Sequence, residues 1–188
     1  MKIKTKLNFA FCAVVLCFTY GTALAQKKIV PPKAPVSSTE TILRKEARNL
    51  SSEQKSLVLR VLGILDRSDV LFFTGKDGDK FQMNIRNVVP LLDELQSTLP
   101  KGKFYDSLNA TILAYMDFGI LIQIVGIRHE KGDVAFDDKV TDSLAEIALR
   151  YETILGTSSN VDMLDPDVGA KLLMFGVNLK KEIRRLLR

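Results

Sequence analysis

The chain has 188 residues, of which 46% are hydrophobic and 26% are charged, and its 27 basic and 22 acidic residues give a net charge of +5. This length suits one domain that can hold a hydrophobic core without disulfides or metals. The charge excess is too small for an extended nucleic-acid interface, so we expect no nucleic-acid partner.

The first 25 residues have the pattern of a cleaved export signal. Lysines occupy three of the first six positions, an apolar run follows from Phe9 to Phe18, and Ala23-Leu24-Ala25 is an A-x-A cleavage signal. The apolar run is short and is followed by small residues, which favours cleavage over a retained membrane anchor. We therefore expect an exported protein, periplasmic or secreted, whose mature chain begins at Gln26.

Cleavage would change the cysteine content and the charge of the protein. Cys12 and Cys17 both lie in the leader, so the mature chain has no thiol for a disulfide, a nucleophile or a metal site. Leu16 is bulkier than the residue that precedes an acylated cysteine, which disfavours Cys17 as a lipid anchor. Removing three lysines from 27 basic residues leaves 24 against 22 acidic ones, and five of the 24 lie between Lys180 and Arg188.

Residues 26–38 predict a flexible tether, and residues 39–188 predict one helical domain. The tether has three prolines, three lysines and no aromatic residue, and we interpret it as a spacer rather than a polyproline ligand. Thr39 is expected to cap a first short helix that ends near Asn49. Ser51 and Gln54 have the spacing of a capping box and begin a second helix that runs to about Phe73.

The segment from Gly75 to Lys80 predicts a surface turn, because Asp77-Gly78 is a strong turn signal. It lacks the further oxygen ligands of a calcium loop and the complete motif of a phosphate loop. The alternation in Phe81 to Arg86 (FQMNIR) predicts a short strand or an extended segment. Asn87 is expected to cap a third helix that tolerates Pro90 in its first turn.

The stretch from Phe104 to Arg128 is apolar on every side of a helical wheel, which is typical of the central rod of a bundle or of a membrane span. Asp117 interrupts it, and the longest uncharged run that follows, Phe118 to Ile127, has ten residues. Because a span needs roughly 20 predominantly apolar residues, we favour a buried rod over about residues 103–130, surrounded by the other helices.

Two further helices are predicted after the central one. Acidic residues between positions 133 and 138 favour the start of a fifth helix. The apolar face of this helix runs from Val140 to Ile154, and the helix ends at Gly156. Asp165 as N-cap, with Pro166 at the first helical position, begins a last helix that reaches the C-terminus.

Asp117 is the first candidate site residue, because a carboxylate in an apolar helix needs a partner or a function. Arg128 is too far along the helix to pair with it, so the partner should come from another helix, with Arg60, Arg67 and Arg150 as candidates. Tyr115 lies nearly opposite on the wheel and should not share its site. We favour a structural role for Asp117 over contact with a ligand or partner.

His129 is the single histidine, and any metal or imidazole chemistry would depend on it. The nearby acids Glu130, Asp133, Asp137 and Asp138 could supply oxygen ligands, but most of them are explained better as residues at the start of a helix. We therefore predict no metal, no cofactor and no catalytic residue.

The last helix supplies the other candidate site residues, Lys180, Lys181, Arg184 and Arg185. Leucines on one face and cations on the other are typical of a helix that contacts an anionic membrane, here through residues 175–188. Cations at a helix C-terminus are also expected from the helix dipole. We favour a core helix with a solvated basic rim.

Together these patterns predict an all-α, single-domain bundle of five to six helices around a buried central hydrophobic helix. The expected function is that of an exported, non-enzymatic protein-interaction or accessory domain of the cell envelope. One alternative is a carrier or sensor of an apolar ligand held around the central helix, where Ala110, Ala114, Gly119 and Gly126 leave either space or close helix contacts. The other is a peripheral membrane-surface protein that uses the basic C-terminal helix.

Overall fold

The computed structural model describes residues 38–131, 136–155 and 162–188. Each regular element within these ranges is helical and the helices pack on one another, which confirms the all-α bundle. The export signal over 1–25, the predicted tether from Gln26 to Ser37 and the helix end at Gly156 lie outside the described residues, whereas Ser38, the last predicted tether residue, begins α1.

The described elements follow one another with short connections. They are α1 (Ser38–Arg48), α2 (Ser52–Asp69), a π-helical turn (Val70–Thr74), α3 (Gly78–Ile85), a 3-10 turn (Arg86–Val88), α4 (Val89–Thr98), the central helix α5 (Lys103–Lys131), α6 (Asp138–Arg150), α7 (Glu152–Leu155) and α8 (Pro166–Leu186).

Two helices begin at the capping residues that were predicted, and a third begins within the acidic segment that was predicted to start it. Ser51 Oγ accepts a hydrogen bond from the Gln54 amide at 3.1 Å and the Gln54 side chain accepts one from the Ser51 amide at 2.8 Å, so the capping box of α2 is confirmed. Asp137 caps α6 by accepting from the Val140 amide, and Asp165 caps α8 by accepting from the Asp167 amide. These bonds satisfy amides that the helix itself leaves without partners.

The prediction of a strand or extended segment over Phe81 to Arg86 is wrong, because these residues lie in α3 and the 3-10 turn. Asp77 accepts a hydrogen bond from the Lys80 amide at 2.9 Å and so caps a helix instead of ending a surface turn. Phe81 and Ile85, four residues apart, are both buried on one face. The alternation of polar and apolar residues was too short to distinguish a period of two from one of four.

Two helix boundaries also differ from prediction. The α-helical part of α2 ends at Asp69, and a π-helical turn carries the chain to Thr74. This turn places the Phe72 ring 5.9 Å from that of Phe81 and 5.0 Å from that of Phe118. The start of α4 has no side-chain cap, so Asn87 does not cap that helix; the 3-10 turn leads directly into it from α3.

The central helix is held closely at its middle and at its first turn. A Cβ at Gly176 of α8 would lie 3.1 Å from Ala114 Cβ and 3.0 Å from Tyr115 Cδ2, so the glycine allows α8 to approach closely. At the N-terminus, Glu46 of α1 accepts a hydrogen bond from the Phe104 amide at 2.7 Å. A carboxylate at this position also interacts favourably with the helix dipole.

One side of the central helix is not covered, although we expected other helices on every side. By length and composition residues Lys103–Ile127 could cross a membrane, and half of their most apolar window is buried inside the protein. The exposed side recurs every three or four residues and comprises Asp106, Asn109, Ile120, Gln123 and Ile127. The most apolar of the described helices therefore has a buried face and a solvent-exposed face.

Candidate functional site

Asp117 lies at the contact between the central helix and α6. Its side chain is 6% exposed, and its Oδ2 accepts a hydrogen bond from Arg150 Nη1 at 2.5 Å and one from the Tyr151 hydroxyl at 2.9 Å. The partner does come from another helix, and among the three candidates it is Arg150. Arg60 pairs instead with Glu94 at 3.3 Å. These contacts fix the C-terminal end of α6 to the middle of α5.

The protonation of the Asp117 group follows from its contacts. The hydrogen bond to Asp117 raises the pKa of Arg150, so the guanidinium stays charged. Burial, and then the charge of Asp117, raises the pKa of Tyr151, so its hydroxyl stays neutral and donates. Asp117 is therefore surrounded by donors that neutralise it, which suits a structural contact better than a catalytic base.

A second charged group lies on the other side of the central helix, and the sequence did not suggest it. The Tyr115 hydroxyl donates to Asp69 Oδ1 at 2.7 Å, and Lys180 Nζ forms ion pairs with Asp69 and with Asp66, the latter at 3.0 Å. Arg184 pairs with Asp66 as well. The group joins α2, α5 and α8, and it keeps Tyr115 away from Asp117, as predicted.

The pKa shifts in this second group indicate that its members also neutralise one another. Burial alone would raise the pKa of Asp66, but hydrogen bonds from Arg184 and Lys180 outweigh it and lower that pKa. Burial, and then the hydrogen bond to Asp69, raises the pKa of Tyr115 well above its ordinary value. Among the described residues, every buried side-chain nitrogen or oxygen has a hydrogen-bond partner. Neither group therefore offers an unpartnered acid or base.

The free energy of unfolding is expected to fall above about pH 10, where an unfolded tyrosine ionises. Tyr115 and Tyr151 have raised pKa values in the folded protein, so their stabilising contribution is complete below the unfolded pKa and is lost as the pH rises beyond it. Urea titrations measure the free energy of unfolding at about pH 8 and about pH 11. The decrease between these two pH values should be smaller for the double variant Tyr115→Phe/Tyr151→Phe than for the wild type. An equal loss in both proteins would contradict the prediction.

The four predicted cations of α8 occupy different environments. Lys180 is 5% exposed and belongs to the buried group with Asp69, and Arg184 pairs with Asp66 beside it. Arg185 is exposed and pairs with Glu182 at 2.6 Å and with Glu40 of α1 at 2.8 Å. Lys181 is exposed. The helix packs in the core through residues such as Leu172 and Ile183, as the favoured interpretation predicted.

The uncovered side of the central helix includes a row of apolar side chains. We call it the apolar stripe and define it as Leu113, Met116, Ile120 and Ile127. At ~100° per residue these four positions lie within about 60° of one another on the helix. Ile120 and Ile127 are each 37% exposed, and Leu113 and Met116 are half-buried. Gln123 lies between them and bonds to Gln82 of α3.

A groove continues the apolar stripe toward the start of the central helix. It has a volume of about 180 Å³ and lies between α4 and α5. Its lining is mostly apolar, with two amide side chains: Leu92, Leu95 and Gln96 of α4, and Tyr105, Leu108, Asn109 and Ile112 of α5. Tyr105 is half-buried and lies next to the stripe on the helix, whereas Ile112 is buried at the base of the groove. The groove and the stripe together run along about 22 residues, which is roughly 33 Å of helix.

Two small residues of the central helix, Ala114 and Gly119, allow close packing of neighbouring side chains. Ala114 is buried against Gly176 of α8, and a Cβ at Gly119 would meet Phe81 and Ile85 at 3.6 Å, an ordinary contact distance. A Cβ at Gly126 would meet nothing within 4 Å. The surroundings of Ala114 and Gly119 therefore leave no space for a ligand.

The metal hypothesis rested on His129, whose side chain lies outside the described parts of the chain. Asp137 of the same cluster caps α6, which is the helix-start role expected for it. Within the described ranges no group of three or more histidine, cysteine, aspartate or glutamate side chains is placed to hold a metal ion.

In the described parts of the chain, the fold is an all-α bundle that contains two internal charge groups and an exposed apolar face on its central helix. Comparison with known proteins adds no family to this description: no family model matches the chain, and neither a curated protein nor a solved structure matches it. Function must therefore be inferred from the surfaces themselves.

Proposed function

We propose that this is an exported, non-enzymatic helical domain that binds a protein partner of the cell envelope through the apolar stripe. The leader pattern supports export, and the partnered state of both charge groups supports a role without catalysis. The observation that carries the proposal is the exposure of Ile120 and Ile127 on the most apolar of the described helices.

Single exposed apolar residues are common on protein surfaces, but apolar residues exposed along one face of a helix are typical of a docking site. Ile120 and Ile127 lie on one face two turns apart, and the groove beside Tyr105 extends that face. An amphipathic helix of a partner would lay its own apolar residues along such a groove at intervals of three and four. The partner is therefore expected to offer a helix of about five to six turns.

The carrier alternative is less well supported. A site for an apolar small molecule is commonly a cavity of about 300 Å³ or more. The groove between α4 and α5 has about 180 Å³ and opens to solvent, and Ala114 and Gly119 are filled by neighbouring side chains. A shallow groove of this kind suits a side chain of a partner better than an enclosed ligand.

The test is site-specific photo-crosslinking in the cells that produce the protein. A photo-reactive residue at Ile120 should capture a discrete envelope protein. The double variant Ile120→Glu/Ile127→Glu should reduce co-purification of that protein roughly tenfold or more, because each apolar contact at the centre of an interface contributes about 1 kcal/mol or more. Both positions are exposed, so the thermal midpoint should change little.

The matched control is Leu59 of α2, which is also an exposed apolar residue, at 52%, but lies on a different helix. A photo-reactive residue at Leu59 should not capture the same protein, and Leu59→Glu should leave co-purification unchanged. The proposal fails if the Ile120 and Leu59 positions capture the same proteins, or if the double glutamate variant co-purifies with its partner as the wild type does.

A further inference from the structure

Helix α1 closes one end of the bundle and links the ends of two other helices. Its first turn contacts the last turn of α8, where Glu40 pairs with Arg185 at 2.8 Å. Its last turn contacts the start of the central helix, where Glu46 accepts from the Phe104 amide at 2.7 Å. The buried side of α1 contains Ala47, and the opposite side faces solvent. This helix therefore forms the outer surface of that end.

The surface around α1 is rich in exposed cations. We call it the basic end and define it by its eight exposed basic residues, which come from α1, from the connection before α5 and from the end of α8: Arg44, Lys45, Arg48, Lys101, Lys103, Lys181, Arg185 and Arg188. The carboxylates at the same end are Glu40, Glu46, Glu53, Asp106 and Glu182. Glu40 and Glu182 form ion pairs with Arg44 and Arg185 of the same surface, and Glu46 caps the central helix. Eight basic and five acidic residues leave the basic end with a net charge of +3.

The helix starts away from the basic end carry the reverse charge. In the described segments 76–80, 137–142 and 162–171, where α3, α6 and α8 begin, eight acidic residues outnumber four basic ones: Asp77, Asp79, Asp137, Asp138, Asp142, Asp162, Asp165 and Asp167 against Lys76, Lys80, Lys139 and Lys171. A charge asymmetry of this kind orients a protein in the field of a charged surface and directs the positive end toward an anionic one.

The basic end also carries an apolar side chain among its cations. Ile42 of α1 is 44% exposed and lies between Glu40 and Arg44 in sequence, on the helix that holds three of the cations. Basic residues around an exposed apolar residue are typical of helices that lie on anionic bilayers, where the apolar residue enters the headgroup region.

We propose that the basic end docks on an anionic phospholipid surface, with α1 against the headgroups. The docking surface differs from the one that the sequence suggested, because Lys180 is buried and Arg184 pairs with Asp66. Its centre is α1, and the last helix contributes only its exposed cations. In this orientation the apolar stripe extends away from the membrane and stays accessible.

Sedimentation with lipid vesicles tests this surface on the chain from Gln26, which contains every described residue. The protein should sediment with vesicles of phosphatidylcholine and phosphatidylglycerol at low salt, remain in solution with phosphatidylcholine alone, and be released at about 0.5 M salt, where charges are screened within a few ångströms. The triple variant Arg44→Gln/Lys45→Gln/Arg48→Gln should partition on the order of 100-fold more weakly, since each cation near an anionic surface contributes roughly fivefold.

Two further variants keep the result interpretable. Lys101→Gln/Lys103→Gln/Lys181→Gln removes three cations of the basic end from other elements and should weaken partitioning to a similar extent. Lys76→Gln/Lys139→Gln/Lys171→Gln removes the same charge from the acidic helix starts and should leave it within about twofold, because those lysines lie beyond the screening length. Equal loss in the last two variants would overturn the proposal, as would binding to neutral vesicles. Binding to a soluble anionic polymer but not to the mixed vesicles would overturn it as well.

Discussion

Replacing Phe81 with Ala is expected to lower the free energy of unfolding by about 4 kcal/mol, within the range for truncating a fully buried aromatic ring. Phe81 is fully buried, and its ring centroid lies 5.3 Å from that of Phe118 and 5.9 Å from that of Phe72. The ring also contacts the central helix beside Gly119. Its removal leaves a cavity where α3 joins α5. Chemical denaturation measures the resulting change in the free energy of unfolding.

The control for this experiment lies two residues further along the same helix. Met83 is 68% exposed, and Met83→Ala should change the free energy of unfolding by less than about 0.5 kcal/mol. The pair distinguishes a helix from the strand that alternation suggested, because in a strand residues 81 and 83 would lie on the same face. Similar losses in both variants would show that this face assignment is wrong.

Replacing Arg150 with Met is expected to cost about 3 kcal/mol, because it leaves the buried carboxylate of Asp117 without its cation. The value is at the low end for a broken buried pair, since the Arg150 side chain is 38% exposed and water can reach its position. The Tyr151 hydroxyl would remain as a donor to Asp117. Amide hydrogen exchange measures the opening free energy of α6 and of the whole bundle separately, so it shows whether the loss is confined to α6.

The double variant Asp117→Asn/Arg150→Met separates the charge from the packing. Without the charge, the asparagine can still accept from Tyr151, so the double variant should recover at least half of the loss measured for Arg150→Met. If the double variant is as unstable as the sum of the two single variants, Asp117 and Arg150 are not coupled and the contact seen between α5 and α6 does not stabilise the protein.

Local signals allowed much of the fold to be predicted. The capping box of Ser51 and Gln54, the caps Asp137 and Asp165, and the long apolar helix are all encoded within a few residues of where they act. The prediction of a strand over Phe81 to Arg86 was wrong because six residues are too few to distinguish the period of a strand from that of a helix. Its helical state depends on Asp77 as a cap and on the partners of Phe81 in distant elements.

The charge groups could be predicted only in part. Asp117 can be identified from the sequence because it interrupts an apolar helix. Its partner is Arg150 and not Arg60 or Arg67 because of the way α6 packs, which the sequence does not reveal. Asp69 and Lys180 are 111 residues apart and each has an ordinary place on an amphipathic helix. The spacing of Asp66 and Asp69, three residues apart, and of Lys180 and Arg184, four apart, is the one signal that would have matched them.

The exposed face of the central helix could not be predicted, because a helix that is apolar on all sides does not indicate which side lacks a neighbour. A helical wheel gives no reason to expect Ile120 to be more exposed than Leu121, yet Leu121 is 2% exposed and Ile120 is 37% exposed. The difference arises from the positions of α3 and α6, which flank the helix without meeting over the stripe. Packing between elements decides it.

Thiol labelling of the central helix tests the account most directly. The chain from Gln26 has no cysteine, so Ile120→Cys and Leu121→Cys each introduce a single thiol in adjacent positions. In the folded protein, with helicity checked by circular dichroism, a maleimide should label residue 120 at a rate close to that in denaturant and should label residue 121 at least roughly tenfold more slowly. Equal protection at both positions would mean that no exposed apolar stripe exists, and rapid labelling at both would mean that the helix is not packed in a bundle.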